Sequence, residues 1–292
     1  MGAEEYPLGR LGSVSEADRE PTVIDTTVAH PARIYDYWLG GKDNFPADRE
    51  AAERIVAMGL DARDFARANR AFLGRAVRLL AEQGIDQFLD IGTGIPAADN
   101  THEVAQRVNP AARVVYVDND PIVLAHARAL MAGHGMGATT AIQADLRDPA
   151  AILAHPEVRA ALDFDRPIGL LLIAVLHFVT EDDGPEAILK TLRDALPPGS
   201  YLAVSHATTD FLTQEELELM RDAKDLYKNR STSQIAPRTR ERVTELLTGF
   251  DLVEPGLVPG PEWRAVPDAH DAPDGAPDPG RAGFYGAVGR KI

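Results

Sequence analysis

Apolar residues recur along this chain with two different spacings. Before residue 85 they follow the spacing of helices, which predicts helices at 46–60 and 63–83, the second one ending at Gly84. After residue 85, short apolar runs typical of strands alternate with helical stretches. The predicted strands are 87–91, 113–118, 140–143, 168–176, 201–206, 250–254 and 283–290. The predicted helices between them are 100–108, 121–131, 149–155, 185–196, 215–227 and 237–247.

This alternation predicts the α/β class, with a doubly wound and mostly parallel sheet of seven strands. The last two strands are an exception, because no helical stretch separates 250–254 from 283–290. Parallel strands need a crossover connection, so the last strand is predicted to run antiparallel. The chain then divides into a flexible tail at 1–20, N-terminal helices at 21–84 and a core at 85–292.

Residues 255–280, which join the last two strands, are dominated by Pro, Gly, Asp and Ala and show no apolar period. This composition favours a long surface loop, so a mobile loop is predicted here. Trp263 is the exception in it. Its indole is predicted to anchor the loop to the body of the protein rather than to bind a substrate.

Candidate chemistry follows the first two strands. The first strand ends in Asp90 and leads into Gly92-Thr93-Gly94, and the second ends in Asp118, followed by Asn119. A strand, a glycine turn, a helix and a second strand ending in an acid are typical of a βαβ nucleotide site. Glycine lets the main chain approach a ligand where a Cβ would collide. A carboxylate at the second strand tip can accept two hydrogen bonds from a ribose diol.

Asp90 helps to separate two classes of cofactor. A dinucleotide brings a pyrophosphate to the glycine turn, which an acid at this position would repel, whereas a carboxylate suits the amino group and sulfonium of S-adenosylmethionine. The pattern Asp90-x-Gly92-x-Gly94, with an acid downstream, resembles motif I of class I methyltransferases. Pro96 stands where many members of that family carry a third glycine. Since Gly92-x-Gly94-x-x-Ala97 also fits a looser dinucleotide fingerprint, an NAD-dependent dehydrogenase stays as an alternative.

Acids after the later strands have both functional and structural interpretations. Asp145 and Leu146 follow the third strand, where the resemblance implies an acid against the adenine amino group and an apolar side chain beside the ring. The alternative is that Asp145 braces the turn before Asp148. Asp120 precedes Pro121 and is interpreted as a structural helix cap.

The fourth strand leads into residues 174–178, at the sheet edge where methyl donor and acceptor are expected to meet. Ala174 is therefore included in the predicted cofactor site, and His177 is the candidate general base. A lone histidine after an apolar run is also a common structural residue, and His206 after the fifth strand has a weaker claim of the same kind. Methyl transfer is a one-step displacement, so positioning alone can supply much of the catalysis.

Residues 25–44 combine aromatic, paired-glycine and charged residues in one short stretch. A structural account is that Ile34, Tyr37 and Trp38 share one helical face and belong to the core. With Asn69-Arg70 downstream, however, the stretch resembles the N-terminal signature of an actinobacterial family of S-adenosylmethionine-dependent methyltransferases, formerly a domain of unknown function. The resemblance implies N-terminal helices that form a cap over the cofactor mouth. The residues it places there are Arg33, Tyr37, Gly40 and Lys42 as wall residues and Arg70 as a carboxylate partner.

Composition agrees with an enzyme and excludes several classes. The 292 residues are 45% hydrophobic, enough for one large α/β domain. No cysteine is present, which excludes disulfides, thiolate catalysis and zinc-thiolate sites, and no metal site is predicted. A formal net charge of −15 disfavours nucleic acid as a partner. The longest apolar run, 168–179, is too short to cross a bilayer and the start lacks a signal segment, so a cytoplasmic protein without a membrane partner is expected.

These observations favour a class I methyltransferase that uses S-adenosylmethionine, releases S-adenosylhomocysteine and acts on a small-molecule acceptor. A protein that binds S-adenosylmethionine as a sensor, without catalysis, is the first alternative, because the candidate base has a structural interpretation. The dehydrogenase is the second. Neither the acceptor nor the oligomeric state can be predicted from the sequence.

Overall fold

A computed structural model describes residues 25–57, 61–131, 138–215, 217–218, 234–265 and 283–292. The predicted tail at 1–20 and most of the predicted helix at 215–227 lie outside the described residues. The predicted helices at 46–60 and 63–83 are present, and one more precedes them. The three helices are α1 (Pro31–Trp38), α2 (Pro46–Ala57) and α3 (Ala62–Glu82).

A sheet follows the three helices, and helices connect most of its strands. The strands are β1 (Gln87–Ile91), β2 (Arg113–Asp118), β3 (Thr139–Gln143), β4 (Gly169–Ile173), β5 (Tyr201–Ala207), β6 (Phe250–Leu252), β7 (Val258–Pro259) and β8 (Phe284–Lys291). The helices are α4 (Thr101–Val108), α5 (Pro121–Met131), α6 (Pro149–Ala154), α7 (Pro156–Ala161), α8 (Pro185–Ala195) and α9 (Arg240–Leu246).

The strand order is β3-β2-β1-β4-β5-β8-β6, with the two-residue strand β7 also paired to β8. Neighbours from β3 to β5 are parallel, whereas β8 is antiparallel to β5, β6 and β7. The doubly wound, mostly parallel sheet with an antiparallel last strand is thus confirmed, and β7 is an addition to the seven predicted strands. None of the helices within the described ranges is long and apolar enough to cross a membrane.

The sheet positions the site because its order reverses beside β1. This strand pairs with β2 on one side and with β4 on the other. Register places Asp90 opposite Tyr116, and Asp118 opposite Gln143. The carboxyl ends of β1 to β5 therefore meet at one edge, next to the crevice where open α/β sheets bind ligands.

Alternate residues of the strands enter two hydrophobic layers, one on each face of the sheet. One layer contains Leu89, Val115 and Leu170, and the other contains Phe88, Val114 and Leu171, all of them buried. A third, smaller cluster lies between α1, α2 and the start of α3, with Ile34 at its centre. Helices α1 and α2 with the start of α3, which we call the cap, thus have a core of their own, whereas the rest of α3 packs on the sheet.

The segment after β6 differs from the predicted loop in residues 255–265. It contains β7 and a 3-10 turn at Gly260–Glu262, and it buries Trp263 completely, with the indole 5.3 Å from the ring of Phe72. Arg75 on α3 donates hydrogen bonds to the carbonyls of Gly260 and Trp263. The prediction that Trp263 anchors this segment is confirmed. Apolar periodicity could not predict that this segment is ordered. The segment is held by the pairing of β7 with β8 and by the hydrogen bonds from Arg75 to its carbonyls. The remainder of the loop lies outside the described residues.

Among the other boundaries that differ from the prediction, two have a clear local cause. The fourth strand stops at Ile173 rather than at residue 176, because Ala174 adopts a φ of +53° and 176–178 form a 3-10 turn. The helix at 149–155 is followed by a second one, α7, where His155 caps the chain and Pro156 starts a new first turn.

Candidate functional site

A cavity of about 260 Å³ lies between the cap and the carboxyl edge of the sheet. Its wall includes the glycine turn after β1, the tips of β2 and β3, and the segments that follow β4 and β5. Residues from α1 and α3 close the opposite side. The cavity thus lies at the switch point, where the sequence predicts a ligand.

The two glycines of the turn have different roles. Gly92, at a φ of +77°, donates its N–H to the Val117 carbonyl at 2.8 Å, and an added Cβ would lie 2.3 Å from Cγ2 of Val175. Gly94, at a φ of +68°, has no atom within 4 Å of the position of a Cβ. Thr93 braces the turn through its hydroxyl, which donates to the Asp90 carbonyl at 3.0 Å. Only Gly94 therefore leaves open space beside the main chain, and Gly92 is required by packing against Val175, which follows β4.

Asp90 is buried under the turn, and its Oδ2 accepts a hydrogen bond of 2.6 Å from the Thr101 hydroxyl. Burial raises the pKa of this carboxyl to about 6, against the opposing effects of the Thr101 hydrogen bond and of Arg70. Arg70 on α3 also lines the cavity and donates to the carbonyls of Ala98 and Asp99. Its Nε is buried and has no partner among the described residues.

Asp118, at the tip of β2, is held by main-chain donors. Oδ2 accepts from the N–H of Gly94 at 2.8 Å, and Oδ1 accepts from the N–H of Asp120 at 2.9 Å. Burial raises its pKa to about 6. Each carboxylate oxygen has a second acceptor position, so the group can take further hydrogen bonds from a ligand. Asn119 also lines the cavity, and its amide donates to Oδ2 of Asp145 at 3.4 Å.

Asp145 and Leu146 both line the cavity, beyond β3. Oδ1 of Asp145 accepts from the main-chain N–H of Arg147 at 2.9 Å, and the Arg147 guanidinium contacts Oδ2 at 2.9 Å. The two interpretations of Asp145 are therefore compatible, since it braces its turn and faces the cavity. Leu146 is buried among the core residues of this face.

Asp120 attaches the cap to the sheet. Its Oδ1 accepts from the N–H of Ile122 at 2.9 Å, which is the predicted capping role at the start of α5. Its Oδ2 lies 3.1 Å from Nδ1 of His30 and 3.4 Å from Nε of Arg33. Arg33 also lies 3.6 Å from Asp48 of α2 and is 4% exposed. The sequence does not indicate this buried cluster, because its members are far apart in the chain.

Most of the predicted wall residues of the cap lie elsewhere. Arg33 is in the buried cluster, the Tyr37 hydroxyl donates to Glu53, Gly40 ends α1 at a φ of +83°, and Lys42 is exposed. None of these four lines the cavity, which corrects the expectation from the resemblance. Arg70 is the exception, as described above. The residues of α1 that line it are Pro31, Ala32, Tyr35 and Trp38. The i, i+3 spacing of the last three is the signal that could have identified this face.

A chain of hydrogen bonds links α1 to the end of β4. The N–H of Ala174 donates to the Ser205 hydroxyl at 2.9 Å, and that hydroxyl donates to Oδ1 of Asn69. Nδ2 of Asn69 donates to the Tyr35 hydroxyl at 2.9 Å, which donates to the Ala66 carbonyl at 3.0 Å. Tyr35, Asn69 and Ala174 all line the cavity. The chain fixes the cavity wall at the predicted meeting point of donor and acceptor.

His177 lines the cavity, but its bonding does not suit a general base. Its Nδ1 accepts from the main-chain N–H of Ala207 at 3.3 Å, so the neutral ring carries its proton on Nε2. Burial, with His206 and Arg238 nearby, holds the pKa of His177 well below its usual value. A ring that donates from Nε2 and resists protonation is not ready to accept a proton there. This bonding argues against His177 as the general base, which stays a prediction. No group of three or more potential metal ligands occurs in the described ranges.

Comparisons with known proteins agree with this geometry. A family model described as S-adenosyl methyltransferase matches residues 17–292. A DUF574 family protein from Streptomyces avermitilis is 46% identical, with 92% of this chain and 99% of that chain covered and a TM-score of 0.84. A candidate methyltransferase from Thermobifida fusca is 42% identical, with 91% and 96% covered and a TM-score of 0.80. The comparison with curated proteins found no match.

The matches extend over almost the whole chain, so they test the resemblance noted in the sequence. They confirm it, and they argue against the dehydrogenase alternative. The chain belongs to the S-adenosyl methyltransferase family, whose cofactor is S-adenosylmethionine.

Proposed function

We propose that this protein transfers a methyl group from S-adenosylmethionine to a small-molecule acceptor inside the cavity. The observation that carries the proposal is that one cavity contains both the acids predicted to hold the cofactor and a second region, which is lined by aromatic side chains. Asp90 and Asp118 lie at one side of it, and aromatic side chains of the cap and of the segments after β4 and β5 lie at the other.

The residues at the sheet edge fit the cofactor. Asp118 has acceptor positions left for the ribose hydroxyls, and the open space beside Gly94 leaves room for a ligand against the main chain. The unpartnered Nε of Arg70 fits the carboxylate of the methionine moiety, and Asp90 fits its amino group. Asn119, Asp145 and Leu146 border the region proposed for the adenosine. Bound S-adenosylmethionine supplies a methyl group on a positively charged sulfur.

The protein itself contributes the orientation of the two reactants. The hydrogen-bond chain through Ser205, Asn69 and Tyr35 fixes the wall where the acceptor is proposed to lie. Ala174 contributes its main chain to this wall rather than a side chain. The bonding of His177 does not suit it to take a proton from the acceptor. We therefore assign catalysis to the alignment of the acceptor with the methyl group of the cofactor.

The test has two stages. Calorimetry with S-adenosylhomocysteine, S-adenosylmethionine and NAD is expected to show binding of the two sulfur ligands alone. Methyl-labelled S-adenosylmethionine is then incubated with the protein and small-molecule extracts of actinobacterial cultures, and labelled products are separated by chromatography. Labelled products that require the protein support catalysis. Cofactor binding without a product in any extract would favour the sensor instead.

A further inference from the structure

The part of the cavity that the cofactor does not account for has a definite chemical character. We call it the acceptor chamber and define it by the side chains Trp38, Phe65, Phe178, Phe211, Leu212 and Ile235. They come from the cap and from the segments after β4 and β5, whereas the proposed cofactor contacts lie mainly at β1 to β3. All six are only partly buried, so they leave apolar surface toward the cavity.

The aromatic side chains of the chamber are held by contacts on the side away from the cavity. Phe65 packs edge-on against Phe284 at 5.2 Å, and Phe211 packs against Tyr285 at 4.9 Å. The indole N–H of Trp38 is turned away toward the Ala52 carbonyl, at 3.4 Å. What these residues present to the cavity is therefore aromatic surface, and such surface favours flat apolar ligands.

The charges around the cavity disfavour an anion. Arg147 is paired with Asp145 at 2.9 Å and with Asp183 at 3.4 Å, and Arg70 is the proposed partner of the cofactor carboxylate. Asp90 and Asp118 line the same cavity. An anionic acceptor would lose its hydration and meet these carboxylates, and the cofactor sulfur would be the one cation to compensate, since both arginines that line the cavity in the described part of the chain are already engaged.

A cation is disfavoured for a different reason. Aromatic walls can attract cations. The acceptor, however, must approach a sulfur that is itself positively charged, and like charges repel strongly in a buried site. Among the polar groups that line the cavity, the Tyr35 hydroxyl and the Asn69 amide are neutral, and burial raises the pKa of Tyr35 to about 12. Asp61, at the start of α3, also lines the cavity, but it is exposed to solvent.

We infer that the acceptor is a flat, uncharged aromatic compound with a polar group at its edge. The inference rests on the proposed function, because it takes the acids at the sheet edge as the cofactor site. The ring system lies between the side chains of the acceptor chamber, and the polar group meets Tyr35 and Asn69.

Three naphthalene compounds of equal size test the charge preference at pH 7. They are 2-naphthol, which is neutral, 2-naphthoate, an anion, and 2-naphthylmethylammonium, a cation. The protein is first titrated with S-adenosylhomocysteine by calorimetry to establish the cofactor site. It is then saturated with sinefungin, which carries an ammonium in place of the sulfonium, and titrated with each probe. We expect 2-naphthol to bind at least about tenfold more tightly than 2-naphthylmethylammonium, which that ammonium repels, and than 2-naphthoate, for which the side chains of the chamber supply no cation.

Two variants locate the binding. Phe211→Ser is expected to weaken 2-naphthol binding about tenfold and to leave S-adenosylhomocysteine binding unchanged, because it removes one aromatic wall. Phe164→Ser is the matched control, since Phe164 is also partly buried but lies outside the cavity, against Arg159 at 4.4 Å. Ile235→Lys supplies the missing cation and is expected to make 2-naphthoate the preferred probe. It covers the case in which Phe211→Ser does not fold, as judged by circular dichroism.

The outcomes separate the two proposals. Absence of S-adenosylhomocysteine binding would contradict the proposed function itself. Normal S-adenosylhomocysteine binding with 2-naphthol no tighter than 2-naphthoate or 2-naphthylmethylammonium would overturn the inference about the acceptor alone. The same holds if Phe164→Ser weakens 2-naphthol binding as much as Phe211→Ser does, because the probe would then not occupy the chamber.

Discussion

The two sides of the cavity are held in place by different kinds of contact. At the sheet edge, Asp90 and Asp118 receive hydrogen bonds from Thr101, Gly94 and Asp120, all within one βαβ unit. On the cap side, the contacts join elements that are far apart in the chain. Arg33 and Asp120 form a charged bridge, and Tyr35, Asn69 and Ser205 form a neutral one.

The comparison shows which side depends on the other. The sheet edge has its hydrogen-bond partners within itself, so we expect it to form without the cap. The cap has a small core around Ile34, but its orientation depends on bridges to the sheet. Substitutions in the bridges are therefore expected to affect the cap first, and substitutions at the strand tips are expected to affect the ligand first.

The largest effect is expected from Arg33→Ala. This change leaves Asp48 and Asp120 buried without their cation, and breaking a buried charge pair costs about 3–5 kcal/mol. The free energy of unfolding is measured with urea. Arg67→Ala is the control, because Arg67 forms an exposed pair with Asp64 and should change stability by less than about 1 kcal/mol. Equal effects of the two substitutions would show that the charged bridge does not hold the cap.

Asp118→Ala tests the sheet edge. It removes the proposed acceptor of the ribose hydroxyls, and binding of S-adenosylhomocysteine should weaken by about 1.5–3 kcal/mol while the fold persists. Calorimetry and circular dichroism measure the two quantities. Asp194→Ala is the control, because Asp194 is an exposed acid on α8, outside the cavity and paired with Lys190. A variant that bound normally, or that unfolded, would make Asp118 a structural residue.

Acidity should affect binding and stability in opposite directions. Burial raises the pKa values of Asp90 and Asp118 to about 6. As the pH falls from 7 to 5, both carboxylates take up protons, and S-adenosylhomocysteine binding should weaken about tenfold. The folded chain then holds more protons than the unfolded chain between about pH 4 and 6, so these two groups make the ligand-free protein more stable as the pH falls through that window.

Measurements of binding and of urea unfolding at pH 7, 6 and 5 check both directions. In Asp118→Asn the part of the pH dependence that comes from this side chain should be absent. Binding that is as tight at pH 5 as at pH 7 would contradict the proposed roles of the two acids.

Hydrogen exchange tests the cap directly. If α1 and α2 close over the bound cofactor, amides of residues 31–57 should exchange about fivefold more slowly with S-adenosylhomocysteine present. Amides of β4 and β5 serve as the internal reference, since they pair in the middle of the sheet. Equal exchange with and without ligand in the cap would reduce its role to core packing.

The smallest effect is expected from His177→Asn. Because His177 bonds the main chain through Nδ1, its loss should lower the methyl-transfer rate on an accepted substrate by less than about threefold, whereas loss of a general base typically costs 10²–10⁴-fold. The KM for the substrate is measured with kcat, so that a change in the wall is distinguished from a change in chemistry. A hundredfold loss in kcat with an unchanged KM would instead show that His177 acts as the general base.

The sequence was sufficient to predict which residues line the cavity where those residues directly follow a strand. Asp90, Gly94 and Asp118 could be predicted because each adjoins a strand end, and the parallel sheet brings those ends together. The sheet itself followed from apolar runs and from the missing crossover before the last strand. These features depend on short-range patterns.

Long-range contacts explain what the sequence could not provide. The role of His177 depends on the N–H of Ala207, thirty residues later. The acceptor chamber joins Trp38 to Phe211 and Ile235, which no local pattern relates. On α1, the resemblance indicated Tyr37, whereas packing turned Tyr35 toward the cavity. Which face of a short helix meets a site is decided by the elements around it.

Gly92 has a consequence for how such sequences change over evolutionary time. Its missing Cβ makes room for Val175, so a descendant that had lost its ligand would still be under selection to keep this glycine. Gly94 has open space instead, and Asn or Asp tolerates its positive φ. Among divergent copies of this chain, the residue at position 94 should therefore report retained ligand binding better than the residue at position 92.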